Sequence, residues 1–239
     1  MLHIRAISLD LDDTLWPIEP VIVRAEQRLD DWMRRHCPVA AEQYPIHAMR
    51  ALRERISAEH PHLSHDFTAQ RMLSLRAALT PHGYGDAHVD AAFAEYYAAR
   101  NDVECYTDVI PALERLSKRF PLVSISNGNA DLERIGLARF FKFSISSRAA
   151  GVAKPAAEIF HIACKQLGMS PEDVMHVGDD PQLDVAGARV AGMRSVWINR
   201  TQARWPQLPP ADISVRNLHE LADAFDALAV NRPSRRALA

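Results

Sequence analysis

Five short runs of apolar and β-branched residues set the frame for this chain: "IRAISL", "PLVSIS", "FKFSIS", "VMHVG" and "RSVWIN". After the first, helical-looking stretches join them, among them "DLERIGLARFF", "AAEIFHIACKQLG" and "QLDVAGARVAG". Strands that alternate with helices in this way cannot be joined by hairpins. They predict βαβ units, and so an α/β fold: a Rossmann-like parallel sheet with helices on both faces.

Between the first run and the second lies a long insertion, residues 16–105, without a convincing strand. "PVIVRAEQRLDDWMRRH" puts Val21, Ala25, Leu29 and Trp32 on one helical face. "HAMRALRERISAEH", "DFTAQRMLSLRAAL" and "HVDAAFAEYYAARN" give three further helices. Loops inside compact domains rarely reach this length, so the segment predicts a separate module of four helices above the sheet. The core is then expected over 1–15 and 106–230, resuming near Thr107 with the helix "VIPALERLSKRF". The ending "NRPSRRALA", residues 231–239, is basic and weakly apolar and reads as a flexible tail.

Composition excludes some classes of function. The formal net charge is -2, so nothing favours nucleic acid as a partner. No apolar stretch is long enough to cross a bilayer, and the amino terminus lacks the pattern of a secretory signal. Cys37, Cys105 and Cys164 are odd in number and form no CxxC pair, which predicts reduced thiols in a cytoplasmic protein. A monomer or weak homodimer acting on a small molecule is the expectation.

The chemistry-bearing residues gather at strand ends. "LDLDDTLW" runs an apolar strand straight into Asp10, Asp12 and Asp13, with Thr14 following. Alone, such a stretch is equally well a turn of helix-capping residues. "ISNG" places Ser126, Asn127 and Gly128 at the end of the second strand, where ligands of open α/β sheets bind. In "GVAKPAAEIF", Pro155 follows Lys154, should keep it extended and should open the next helix. "VMHVGDDPQLDVAGA" repeats the opening device: a buried strand meets Asp179 and Asp180, with Asp184 one turn on. Acids directly after a buried strand are costly unless a cation offsets them.

Taken together, Asp-x-Asp-x-Thr, Ser-Asn-Gly, Lys-Pro and Gly-Asp-Asp-x-x-x-Asp resemble the haloacid dehalogenase (HAD) superfamily of phosphohydrolases. The resemblance spans the core, and the insertion matches the family's helical cap. It implies Asp10 as nucleophile forming an aspartyl-phosphate, Asp12 as acid and base, and Lys154 and Ser126 on the phosphoryl group, with Asn127 and Gly128 beside it. It further implies Mg²⁺ on the Asp10 side chain, the Asp12 backbone carbonyl and Asp179, with Asp180 and Asp184 acting outside them. An acid two residues after the nucleophile fits phosphate-ester chemistry, whereas dehalogenating members usually lack it. Further similarity, notably in "SHDFTAQRM", is to bacterial phosphatases of FMN or the phosphorylated ribitylaminouracil of riboflavin synthesis. Trp16, His65 and Arg71 are the expected specificity residues of the cap. Trp16 packing at the hinge, a solvated helix end capped by Asp66, and His176 as a core residue are the plainer alternatives. Still open are a phosphomutase or a sugar-phosphate phosphatase on the same core, a phosphoacceptor signalling module, and a silent binding protein.

Overall fold

The computed structural model describes residues 3–230, and the expected tail over 231–239 lies outside them. Six strands form one parallel sheet: β1 (Ala6–Leu9), β2 (Leu122–Ser126), β3 (Ser144–Ser146), β4 (Val174–Gly178), β5 (Arg194–Ile198) and β6 (Ile213–Val215). Their spatial order is β3-β2-β1-β4-β5-β6. Each residue of β1, β2 and β4 is buried, which explains the unbroken apolar runs. β1 pairs with β2 through Leu9 and Ser124, and with β4 through Leu9 and Val177. The carboxyl ends of these three central strands therefore finish side by side.

β6 was not foreseen from the sequence. Three residues of "ISV" at a sheet edge carry too little apolar signal to stand out. "DLERIGLARFF" also differs from the expected single helix. Gly136 takes φ 82°, which ends the helix at one turn and leaves a short 3₁₀ turn at Ala138–Phe140. "QLDVAGARVAG" starts as a π-helical turn, Pro181–Ala186, before becoming α-helical at Gly187–Val190.

The insertion is helical throughout but holds five α-helices, not four: α1 (Ile18–His36), α2 (Pro38–Gln43), α3 (Ile46–Glu59), α4 (Phe67–Leu79) and α5 (Asp86–Arg100). The additional helix, α2, starts at Pro38 where a missing N–H costs nothing. On α1 the buried stripe is Val21, Ala25, Leu29 and Met33. Trp32, expected on that stripe, is one step round the helix and stacks on His36 with ring centroids 4.6 Å apart. Ala25, Leu29, Leu75, Leu79, Val89 and Ala92 belong to an apolar cluster made within the insertion, distinct from the two clusters flanking the sheet.

Helices α6 (Val109–Ser117), α7 (Leu132–Ile135), α8 (Ser147–Ala150), α9 (Ala157–Leu167), α10 (Gly187–Val190) and α11 (Leu218–Val230) accompany the sheet. Where the chain returns from the insertion, Arg200 ties four segments together. Its guanidinium donates to both carboxylate oxygens of Asp108 and to the Thr14 carbonyl, and it lies over the Tyr106 ring. Asp108 also accepts from the Leu218 N–H at the start of α11. Burial pushes the Asp108 carboxyl up, but the Arg200 guanidinium and the Leu218 N–H outweigh it and hold the group below the ordinary range.

Candidate active site

Asp10 follows β1, Ser126 ends β2 and Asp179 follows β4, so the sheet itself delivers three of the expected groups to one place. They line a cleft of ≈ 570 Å³ between the sheet and the insertion, together with Asp12, Asn127, Gly128, Lys154, Asp180 and Asp184. This is the position where ligands enter open α/β sheets.

Charge is concentrated here and mostly buried. Lys154 Nζ lies 2.5 Å from Asp10 Oδ1 and 2.5 Å from Asp184 Oδ1. Thr14 Oγ1 reaches Asp10 at 3.4 Å and Asp179 at 3.2 Å, joining the two strand-end acids. Oxygens of Asp10, Asp179 and Asp184 all lie within 4.8 Å of one another, the group of potential metal ligands found among the described residues. Burial and then Asp184 and Asp13 push the Asp179 carboxyl up to about 7. Burial raises Asp10 as well, against the pull of Lys154. Lys154, although buried, is held above its usual range by Asp10 and Asp184, while Asp184 is held below its own by Lys154 and His176. One lysine among three carboxylates leaves excess negative charge. An all-oxygen donor set of this kind fits a hard divalent cation.

Neighbouring residues fix these groups. The Asn127 side chain is committed to Lys154: its Oδ1 accepts from the Lys154 N–H at 2.8 Å, and its Nδ2 donates to the Lys154 carbonyl at 3.0 Å. That amide thus holds the Lys154 backbone in place, and Asn127 also lines the cleft. The Lys154–Pro155 bond is cis, and α9 begins only at Ala157, so Pro155 does not open the helix as expected. Ser126 Oγ accepts from the Gly128 N–H at 2.9 Å and lines the cleft. Asp13 sits at φ 57°, a region that Asp tolerates better than most residues, and its carboxylate accepts from the Ile18 N–H. It shapes the loop.

The two outer acids separate clearly. Asp180 caps the helical segment after β4, with Oδ1 accepting from the N–H groups of Gln182 and Leu183. Asp184 is buried, faces Lys154 and His176, and joins the metal-type cluster, which is closer than the outlying role expected for it. His176 lies inside β4, between Ser8 Oγ at 2.9 Å and Asp184 Oδ1 at 3.1 Å, and is a core residue that orients Asp184.

Of the expected cap residues, Arg71 lines the cleft, lies over the Tyr96 ring and donates to the Tyr96 hydroxyl at 2.8 Å. Trp16 does not serve substrate stacking. It is fully buried, and its indole N–H donates to Asp12 Oδ1 at 2.9 Å. His65 is absent from the cleft lining; its carbonyl accepts from Ser147 Oγ, and the Asp66 capping bond to Ala69 turns this segment into an ordinary helix start. Arg100 was missed. Its Nη2 lies 2.7 Å from Asp12 Oδ2 and 2.8 Å from Oδ1, but a basic residue in a last helical turn reads as a dipole partner. The cysteines carry no disulfide.

A family model for hydrolases, described as haloacid dehalogenase-like hydrolase, matches residues 4–192. The chain belongs to the haloacid dehalogenase-like hydrolases. Among curated relatives, it is 32% identical over 200 residues to the 5-amino-6-(5-phospho-D-ribitylamino)uracil phosphatase YigB of Escherichia coli K12, covering 82% of this chain and 84% of that one. The crystal structure of 2-haloacid dehalogenase from Pseudomonas syringae pv. Tomato DC3000 superimposes with a TM-score of 0.88 and 34% identity, covering 94% of this chain and 99% of the other. A HAD phosphatase from Thermococcus onnurineus gives 0.68 and 26%, covering 93% and 98%. As a member of this family the protein is an enzyme, and its acid cluster stands at the strand ends where such chemistry is done. Among the described residues, no helix is long and apolar enough to cross a membrane.

Proposed function

We propose that this HAD hydrolase cleaves phosphomonoesters through an aspartyl-phosphate on Asp10. The carrying observation is that a second carboxylate, Asp12, lines the same cleft as Asp10, Ser126 and Lys154. A dehalogenase needs no acid there, whereas an ester needs one to protonate the departing oxygen and then to take a proton from water. Asp10 Oδ would attack phosphorus in line with the ester oxygen, and the bond to that oxygen would break as Asp12 delivers the proton. Water, deprotonated by Asp12, would then release phosphate and regenerate Asp10. Ser126 donates its hydroxyl to a phosphoryl oxygen, and Lys154 offsets charge on both Asp10 and the phosphoryl group.

Mg²⁺ suits the Asp10–Asp179–Asp184 donor set, with the Asp12 backbone carbonyl as a further ligand. When bound, it supplies positive charge that lessens repulsion between carboxylate and phosphate. In the same reading the cap comprises 16–105 and the core 1–15 with 106–230, and the cap opens about hinges near Trp16 and Cys105 to admit substrate.

For substrate we infer FMN or the ribitylaminouracil phosphate. The YigB relative is named for the second, and the insertion presents Phe67, Tyr96 and Arg71 to the cleft, suited to a flat ring with acceptor oxygens. Phosphate release from a panel of both compounds and small sugar phosphates, with Mg²⁺ and with Asp10→Asn as control, tests the reading. Release that requires Mg²⁺ and vanishes in Asp10→Asn is the expected result. Release equal in Asp10→Asn would refute the nucleophile, and an isomeric phosphate as product would make the protein a mutase.

A further inference from the structure

Among the arginines that the insertion brings to the cleft, Arg100 touches the acid Asp12, and the mechanism above gives it no task. Arg100 is the last residue of α5, is 2% exposed and lines the cleft. Its Nη2 is spent on the two oxygens of Asp12. Its Nη1 is buried and has no hydrogen-bond partner among the described residues. Arg200 shows what a structural arginine does in this protein: its Nε, Nη1 and Nη2 all donate to Thr14 or Asp108. A guanidinium nitrogen shielded from water and denied an acceptor is costly.

The surroundings of Nη2, on the same guanidinium carbon, bear on the acceptor that Nη1 lacks. A Cβ placed on Gly128 would lie 3.1 Å from Arg100 Nη2, 2.5 Å from Asp12 Oδ2 and 3.3 Å from Ser126 Oγ. The guanidinium, the acid/base carboxylate and the phosphoryl-binding hydroxyl thus converge on the one residue without a side chain. A guanidinium is planar and can serve two acceptors at a fixed angle, as a lysine cannot.

We propose that Arg100 is a substrate-binding residue contributed by the insertion: Nη1 donates to a phosphoryl oxygen while Nη2 holds the Asp12 carboxylate towards the ester oxygen. The proposal rests on the phosphomonoester reading. It makes the insertion a contributor to the chemistry as well as to selectivity.

The test compares wild type, Arg100→Lys and Arg100→Ala with Mg²⁺ present. Steady-state hydrolysis of p-nitrophenyl phosphate gives kcat and KM, calorimetric titration with inorganic phosphate gives Kd, and circular dichroism reports folding. Loss of one charge-assisted hydrogen bond predicts that KM and the phosphate Kd both rise by about 10- to 100-fold in Arg100→Lys. Dilute guanidinium chloride is expected to restore part of kcat/KM in Arg100→Ala. If that variant does not fold, Arg100→Lys carries the comparison alone. A wild-type KM and phosphate Kd in folded variants would overturn the assignment and leave the hydrolase reading standing. A fall confined to kcat would place Arg100 behind Asp12 and overturn its contact with substrate. Wild type that neither hydrolyses phosphomonoesters nor binds phosphate would overturn both readings together.

Discussion

Gly128→Ala presses on Asp12 harder than on any other group of the site, with Arg100 Nη2 at 3.1 Å and Ser126 Oγ at 3.3 Å the next nearest. The backbone of Gly128 lies outside the left-handed region that favours glycine, so alanine brings no backbone strain. Its methyl carbon, however, would start 2.5 Å from Asp12 Oδ2, where ordinary contact begins at 3.4 Å. The carboxylate would have to retreat by roughly 0.9 Å, and displacements of that order can cost about 10²-fold in rate. Retreat is opposed by Arg100 at 2.7 and 2.8 Å and by the Trp16 indole at 2.9 Å, so the strain cannot be absorbed by a free rotation. The expected result is a fall in kcat of about 100-fold with a melting temperature close to that of wild type, since no apolar core is touched. Steady-state kinetics on the best phosphomonoester, beside a thermal melt, makes the measurement. A folded Gly128→Ala enzyme with wild-type kcat would refute the argument that Asp12 works from this position.

Three further outcomes are expected. Asp184→Asn removes a carboxylate from a buried pair in which both side chains are 2% exposed, and should destabilise the fold by about 3–5 kcal/mol in urea denaturation. A loss below about 1 kcal/mol would mean that Asp10 alone satisfies Lys154. Mg²⁺ should raise the melting temperature of wild type, and Asp179→Asn should abolish most of that rise; equal shifts in the two proteins would move the ion elsewhere. Asp108 is held below its ordinary value, so its stabilising contribution is complete above the unfolded value of about 3.9 and is lost as pH falls through the folded one. The stability gap between wild type and Asp108→Asn should therefore be constant near neutrality and narrow only in acid, which denaturation series at several pH values would measure.

The strand ends were legible because burial and charge conflict there. Asp10, Asp179 and Lys154 stand out in a linear reading since an unbroken apolar run or a Lys-Pro step announces them, and a parallel sheet must bring its carboxyl ends together. Residues whose meaning lies in a distant partner were harder to read. Arg100 meets Asp12 across 88 positions and Arg200 meets Asp108 across 92, and neither spacing leaves a local trace. Trp16 illustrates the opposite error: an aromatic beside a catalytic loop suggests stacking, yet its indole N–H finds Asp12 four residues back. Asp184 was underestimated because its distance along the chain from β4 concealed how the π-helical turn carries it back towards Lys154. The extra helix α2 and the edge strand β6 were missed for a simpler reason, being too short for periodicity to accumulate.

The strand order also sets a timetable for biosynthesis. β1, which runs into Asp10, leaves the ribosome well before its neighbours β2 and β4, which end at Ser126 and Gly178. At about 5–20 residues per second, the first strand waits roughly ten seconds or more for its second neighbour. Helices α1 to α5 emerge within that interval and make their apolar cluster among themselves, so they need not wait for the sheet. Charge on an unpaired strand discourages pairing with other chains, and Asp10, Asp12 and Asp13 place such charge at the end of the waiting one. The carboxylates that line the finished cleft would thus also act on the exposed first strand, as charge that disfavours its pairing with other chains.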